Sequence, residues 1–360
     1  MHWDARELPL ELFETRIVRL RKELALAGLN GLIIYTNNVR PSAVHYLTGF
    51  TPYWSEGLLL LPIRDRPVFA TALSNRVADW IRSNDPVSEV ISTPRPGTLL
   101  GERLAGDVSA NQIGILEIDA MPCELFDDLS AAAPDILWVD ASTQFATARS
   151  GIDTAEQRML ARADALAVAA FDQVDIEQSL DAGALAALIE KHVRLAGAEE
   201  IYLAVAPDLT ADHRLNRVSK PAKLTERFAM RASIAYKGSW IRRTRTFAKD
   251  SSVARANAWF EGLVQAIKPN KPFAEQIATQ LTMLPGARIN SWAVEACTGS
   301  YPLSVVASSS ASRGFEPLAV GGGVITIILL LNEGPWIGSA PFIVDGHSFT
   351  TGRMLSLIHI

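Results

Sequence analysis

The chain has 360 residues, is 48% hydrophobic and 20% charged, and carries a formal net charge of -5. That length is about twice an ordinary domain of roughly 100–200 residues, so two units with separate cores are expected, and the apolar fraction argues against disorder. The acidic balance argues against general attraction to nucleic acid or an anionic membrane, leaving small molecules as the expected partners.

The opening MHWDARELPLELFETRIVRL spreads charges through every turn and lacks the apolar core of a signal peptide. RIVRLRKELALAGLNGLIIYT then reads as an amphipathic helix ending at Gly28, followed by a buried strand. Strand patterns recur at GLLLLPI, RPVFAT, QIGILEI and DILWVD, with helical patterns in SNRVADWIRS and PCELFDDLSAA, which predicts an α/β domain over residues 1–150. Cys123, at the start of the second helical pattern, and Cys297 show neither CxxC nor zinc-ligand spacing, so a reducing compartment, the cytoplasm, is expected. The polar stretch DASTQFATARSGIDT has no long periodicity and places a boundary near Gly151. A helix is expected to start at Thr154, with Gln157 completing a capping box.

Beyond it, AEQRMLARADALAVAAFDQV, AGALAALIEKHVRLAG, VARANAWFEGLVQAI and FAEQIATQLTML have helical spacing, whereas IYLAVA, RFAMRASIAY and GVITIILLL read as strands. Helices and strands in separate blocks predict an α+β domain with a largely antiparallel sheet over residues 151–354. The apolar run VITIILLL is far shorter than the roughly 20 residues of a membrane-spanning helix, so no membrane partner is expected. The closing LSLIHI, residues 355–360, matches the translation of CTG TCT CTT ATA CAC ATC, a transposon-end sequencing adapter; it is expected to be an artefact, the alternative being an ordinary apolar end.

VHYLTGF at 44–50, RSGIDTAEQRMLARADAL, LAGAEE, APDLTADHRLN, YKGSWIRRTRTF and GGGVITI occur in an order that resembles the creatinase and aminopeptidase P family, the M24 peptidases. The resemblance implies a creatinase-type N-terminal domain followed by a pita-bread domain. It also implies where the family's two metal ions would be held. The two aspartate positions fall on Arg231 and Arg242, the histidine on or near Ser300, and the two glutamates on Ile328 and near Val344. A guanidinium has no lone pair to offer a cation and repels it, so no metal and no other cofactor is expected.

In the metal-free creatinase branch a loop histidine matches His213, a candidate proton-transfer group, although the glutamates that assist it there align with Thr244 and Ile328. Arg231, Arg242 and Ser300 are the expected contacts for a small anionic substrate. Phe50, Tyr53 and Trp54, in GFTPYWSEG, would close the pocket of the other subunit in a homodimer. The resulting expectation is a metal-independent hydrolase or lyase acting on a small carboxylate-bearing nitrogen compound. The alternative is a non-catalytic pseudo-peptidase that binds a small anion or a protein. Glu295, Asp212 and Glu226 are the acidic residues that could instead neutralise the arginines internally. His45, His192 and His347 read as structural, VGGGVITI is not a phosphate loop, and no GxSxG elbow is present.

Overall fold

The computed structural model describes residues 3–52, 56–107, 110–177, 181–218, 221–268, 271–297, 321–344 and 349–351. The chain divides into two compact units, residues 1–150 and 151–360.

The first unit runs α1 (Leu10–Leu26), β1 (Gly31–Thr36), α2 (Ser42–Thr48), β2 (Gly57–Pro62), β3 (Val68–Thr71), α3 (Asn75–Arg82), β4 (Glu89–Ser92), α4 (Pro96–Ala105), β5 (Gln112–Leu116), α5 (Cys123–Ala132), β6 (Leu137–Asp140) and α6 (Ser142–Ala148). Its sheet has the order β4-β3-β2-β1-β5-β6. β1 is antiparallel to β2 and parallel to β5. All six residues of β1 are buried, which is why GLIIYT is an unbroken apolar run rather than an alternating one. α6 occupies part of the polar stretch expected to be a connection; it is seven residues long and buries only Ala148, too little to leave a periodic signal.

Phe50 is a correction. Gly49 turns the chain at the end of α2 with φ +78, and a side chain there would meet Phe13 at 2.9 Å. The turn delivers Phe50 into the core at 2% exposure, edge-on to Phe69 and Trp80 at 5.4 and 5.9 Å between ring centroids. It packs the first unit and is not an aromatic at a pocket mouth. Tyr53 and Trp54 lie outside the described residues.

The second unit runs α7 (Thr154–Phe171), α8 (Ala182–Leu195), β7 (Glu200–Ala206), β8 (Asn216–Arg217), β9 (Arg227–Tyr236), β10 (Ser239–Ala248), α9 (Ser251–Ala266), α10 (Phe273–Leu281), β11 (Arg288–Cys297), β12 (Gly321–Leu331), β13 (Gly334–Val344) and β14 (Phe349–Thr351). The expected start of α7 holds, but its capping box is set one residue earlier: Asp153 accepts from the Glu156 amide at 2.9 Å, and the Glu156 carboxylate returns to the Asp153 amide. The sheet has the order β11-β12-β13-β10-β9-β7-β8, with β14 on β13. Its pairings are all antiparallel, as the segregated helix and strand blocks implied.

The helices cover one face of this sheet. α7 and α8 pack on Met230, Ala232, Ile234, Ile241 and Phe247, while α9 and α10 pack on Ile325, Ile327, Leu329, Trp336 and Ala340. Side chains alternate along a strand, so the intervening residues point to the opposite face, which these helices leave uncovered.

Candidate functional site

Directly opposed residues of an antiparallel pair share a face, so the register identifies what stands on the helix-free side. Arg231 pairs with Thr244 and Arg242 with Ser233, which puts both arginines there as diagonal neighbours on β9 and β10. Thr244 in turn pairs with Ser339, and Ser339 with Thr326. The Ser339 hydroxyl donates to Thr244 Oγ1 at 2.7 Å, and Thr246 Oγ1 both accepts from the Ile337 amide and donates to its carbonyl at 2.8 Å. A hydroxyl-lined floor, satisfied by its own hydrogen bonds, therefore runs beside the arginines.

Arg242 meets Glu295 across this face, with Nη1 at 2.9 and 3.2 Å from the two carboxylate oxygens. Both side chains are largely buried, at 14% and 13% exposure. The Arg242 Nε–H is enclosed and has no hydrogen-bond acceptor among the described residues. Of the three acidic candidates, Glu295 is thus the partner of Arg242. Asp212 instead binds Arg214, whose hydrogen bond holds its carboxyl below the usual range.

Arg243 and Arg245 point to the helical side, as alternation requires. Arg243 makes a bidentate pair with Asp164 of α7 at 2.6 and 2.8 Å, and Arg245 binds Asp172 at 2.7 Å. Burial works to lower the Arg243 pKa, but the adjacent Asp164 carboxylate outweighs it and the net shift is upward. These two arginines fasten α7 to the sheet.

The loop after β7 carries His213. Its Nδ1 lies 3.0 Å from the Leu209 carbonyl, which fixes Nδ1 as a donor and leaves Nε2 without a hydrogen-bond partner among the described residues. Leu209 and Leu215 of this loop pack with Ala206, Ala229, Ile337 and Ile328, so the loop roofs one end of the helix-free face. Elsewhere, His45 Nδ1 is 2.8 Å from the Thr51 hydroxyl.

A second group on this face was missed from sequence. Tyr202 opposes Ser233, and Trp240 opposes Ala235, so both rings stand on the arginine side. They stack across β9, over these small residues, with centroids 5.7 Å apart and planes at 27°. Arg217 of β8 lies 5.5 Å over the Tyr202 ring. Alternation within IYLAVA and SWIRRTRTF carries this information, but only once the strand order is known.

The residues present do not fit a dinuclear metal site. Arg231, Arg242 and Ile328 offer no donor atom for a cation, and Glu295 is engaged by Arg242. Among the described residues no group of three or more His, Cys, Asp or Glu could hold a metal ion. Ser300, the Val344 side chain and His347 lie outside those residues.

The family model of the Creatinase/Prolidase N-terminal domain matches residues 16–150. No curated protein matches the chain. Solved structures similar over both units include an Xaa-Pro dipeptidase from Bacillus anthracis, with TM-score 0.67, 18% identity, and 94% of this chain and 97% of that chain covered. An X-Pro aminopeptidase from Thermotoga maritima MSB8 aligns with TM-score 0.68 and 14% identity, covering 92% and 97%. The prolidase from Pyrococcus horikoshii OT3 gives 0.64 and 12%, covering 94% and 97%. At these identities the likeness establishes the fold: a creatinase-type domain followed by a pita-bread domain.

Proposed function

We propose that this chain, whose N-terminal unit belongs to the Creatinase/Prolidase N-terminal domain family and whose two units share the fold of the Xaa-Pro dipeptidases, binds a small organic anion on its helix-free sheet face and does no metallopeptidase chemistry. The observation that carries the proposal is the pairing of Arg231 with Thr244 and of Arg242 with Ser233, which puts both residues on one sheet face as diagonal neighbours, at the positions where the resemblance implies two aspartates. Guanidinium forks recognise carboxylates through paired N–H donors, whereas Glu295 takes only the Nη1 nitrogen of Arg242 with its two oxygens. Glu295 is the internal counter-charge of Arg242, so a bound anion would have to share or displace it.

A second reading is favoured by His213. With Nδ1 held by the Leu209 carbonyl, Nε2 is the nitrogen able to exchange a proton with a bound compound, the requirement for a metal-independent hydrolase or lyase acting on a carboxylate-bearing nitrogen compound. Fold alone does not decide between the two. A homodimer belongs to the proposal on the general prevalence of two-fold assemblies, with light scattering as its check. A cytoplasmic setting is proposed on the scarcity of cysteine and the free Cys123.

A thermal-shift screen of amino acids, guanidino acids and simple carboxylates tests the binding reading. At least one carboxylate is expected to raise the melting temperature of the wild type but not of Arg231→Gln. No response to any of them would refute it. Turnover of a bound compound that disappears in His213→Ala while binding persists would establish the catalytic reading.

A further inference from the structure

Strand β4 ends the first unit's sheet and pairs with β3 alone among the described residues. The Glu89 and Thr93 amides donate to the carbonyls of Pro67 and Thr71, so the backbone between them alternates: Ile91 faces β3, while Val90 and Ser92 turn their polar groups outward. An open edge of this kind presents amides and carbonyls in equal number and invites another strand. Here that balance is broken. The Val90 carbonyl accepts from Arg82 Nη2 at 2.6 Å, and the Ser88 carbonyl accepts from Arg66 Nη2 at 3.0 Å. The Val90 and Ser92 amides have no acceptor among the described residues. With two carbonyls closed by guanidiniums, what this edge has left to offer is mostly donors.

These donors open on a groove of about 580 Å³ whose lining includes Arg66, Asn75, Arg82 and Ser92. Arg66 is exposed and meets no carboxylate among the described residues; its Nε donates to the Val87 carbonyl at 2.7 Å, and Nη1 is left to the groove. Arg82, with 46% of its side chain exposed, shares its charge with Asp79 of the same helix. The acidic residues of the lining do not oppose an anion strongly. Glu89 is held by Arg103 at 2.9 and 3.0 Å. Asp85 is 2% exposed, its Oδ1 accepts from the Val87 and Ser88 amides, and burial pushes its carboxyl up toward the uncharged form. The carbonyls that anchor Arg66 and Arg82 are two residues apart, roughly 7 Å along a strand. A compound with two oxyanion heads can meet both guanidiniums at once, whereas a compound with one head meets one.

We infer that the groove between α3 and the outer edge of β4 is a second binding site, for a small compound with two oxyanion heads, one at Arg66 and one at Arg82, with the Ser92 amide as a further donor. The site lies wholly in the first unit and does not depend on the anion-binding reading of the second. Carboxylate and phosphate heads share the guanidinium chemistry, and probe choice separates them.

The test is isothermal titration of the full chain with glutarate and pyrophosphate, each two-headed, against acetate and inorganic phosphate, their one-headed counterparts. Glutarate or pyrophosphate is expected to bind roughly tenfold more tightly than its counterpart, the gain of a further charge-assisted contact. The tighter of the two identifies the heads. Arg66→Gln should erase the two-headed preference. Asn75→Asp places a negative charge in the groove at the first turn of α3, where an acidic side chain suits the helix dipole; it should weaken the two-headed anion about fivefold or more with the urea midpoint unchanged, and it keeps the test valid if Arg66→Gln folds poorly. Arg231→Gln, in the other unit, should leave this binding as it is. Equal affinity for one- and two-headed probes, no binding of any probe, or a preference that survives both groove substitutions overturns the inference. A preference lost only in Arg231→Gln also overturns it, and assigns the anion to the helix-free face instead.

Discussion

Arg242 of β10 and Glu295 of β11, on strands three places apart in the second unit's sheet, close an ion pair at 2.9 Å across its helix-free face. Continuing the Thr244–Ser339 register by two residues sets Arg242 opposite Pro341, which opposes Val324, which opposes Glu295. Three inter-strand steps amount to about 14 Å on a flat sheet. Two long side chains lying over the intervening strands reach about that far, so the pair ties β10 to β11 across the face.

Removing one partner of this pair should cost more than removing both. Glu295→Ala leaves a largely buried guanidinium without its carboxylate and is expected to lose about 3 kcal/mol in urea denaturation. The double variant Arg242→Met, Glu295→Leu should recover most of that loss, because well-packed apolar side chains avoid the desolvation of both charges. A double variant no more stable than Glu295→Ala would show that the pair does not act as a unit.

The Asp164–Arg243 pair predicts a parallel result on the helical side. Asp164 is 2% exposed, and both of its oxygens accept from Arg243. Asp164→Asn should cost about 3 kcal/mol and loosen α7, seen as faster amide hydrogen exchange along residues 154–171, whereas binding of anions on the opposite face is expected to change little.

Phe50 discriminates a core residue from a pocket aromatic. Because it is enclosed by Phe69 and Trp80, Phe50→Ala should lower stability by about 3–5 kcal/mol through the cavity it leaves. In protein that remains folded, anion affinity should match the wild type. A selective loss of affinity without loss of stability would show that Phe50 acts at a binding site rather than in the core.

Asp85 predicts a pH dependence in the first unit. Burial pushes its carboxyl up from the ordinary 3.8, against the opposing amides of Val87 and Ser88 that bind Oδ1. Between the unfolded value and the raised native value, the folded chain keeps a proton that the unfolded chain has released. Stability therefore falls as pH rises through that window and stays lower above it. Asp85→Asn retains an acceptor for the two amides and removes the charge. It should flatten this fall and stabilise the protein at pH 7, while having little effect below the unfolded value. Urea midpoints measured across the window check the sign.

Much of this architecture is legible in sequence, for reasons visible at single residues. GLIIYT and RFAMRASIAY declare themselves because β1 is buried throughout and β9 is mostly so. The split of Arg242 from Arg243 and Arg245 follows from alternation alone, whereas placing Arg231 with Arg242 needs the β9–β10 register. The partner of Arg242 does not follow from alternation, since Glu295 is 53 residues away and on a strand three steps across the sheet. The Tyr202–Trp240 stack is hidden for the same reason: it spans β9, so it exists only after strand order is fixed. The burial of Phe50 is not legible because GFTPYWSEG reads as a cluster of loop aromatics able to close a pocket, and nothing local shows that Gly49 turns Phe50 inward.

Under the proposed function, the helix-free face binds anions and holds no metal pair. Elemental analysis of the full chain after incubation with Mn²⁺ and Zn²⁺ and desalting tests it most directly. The arginines at 231 and 242, with Ile328 beside them, predict no stoichiometric metal. About two tightly bound ions per chain, the content of a dinuclear centre, would contradict the account.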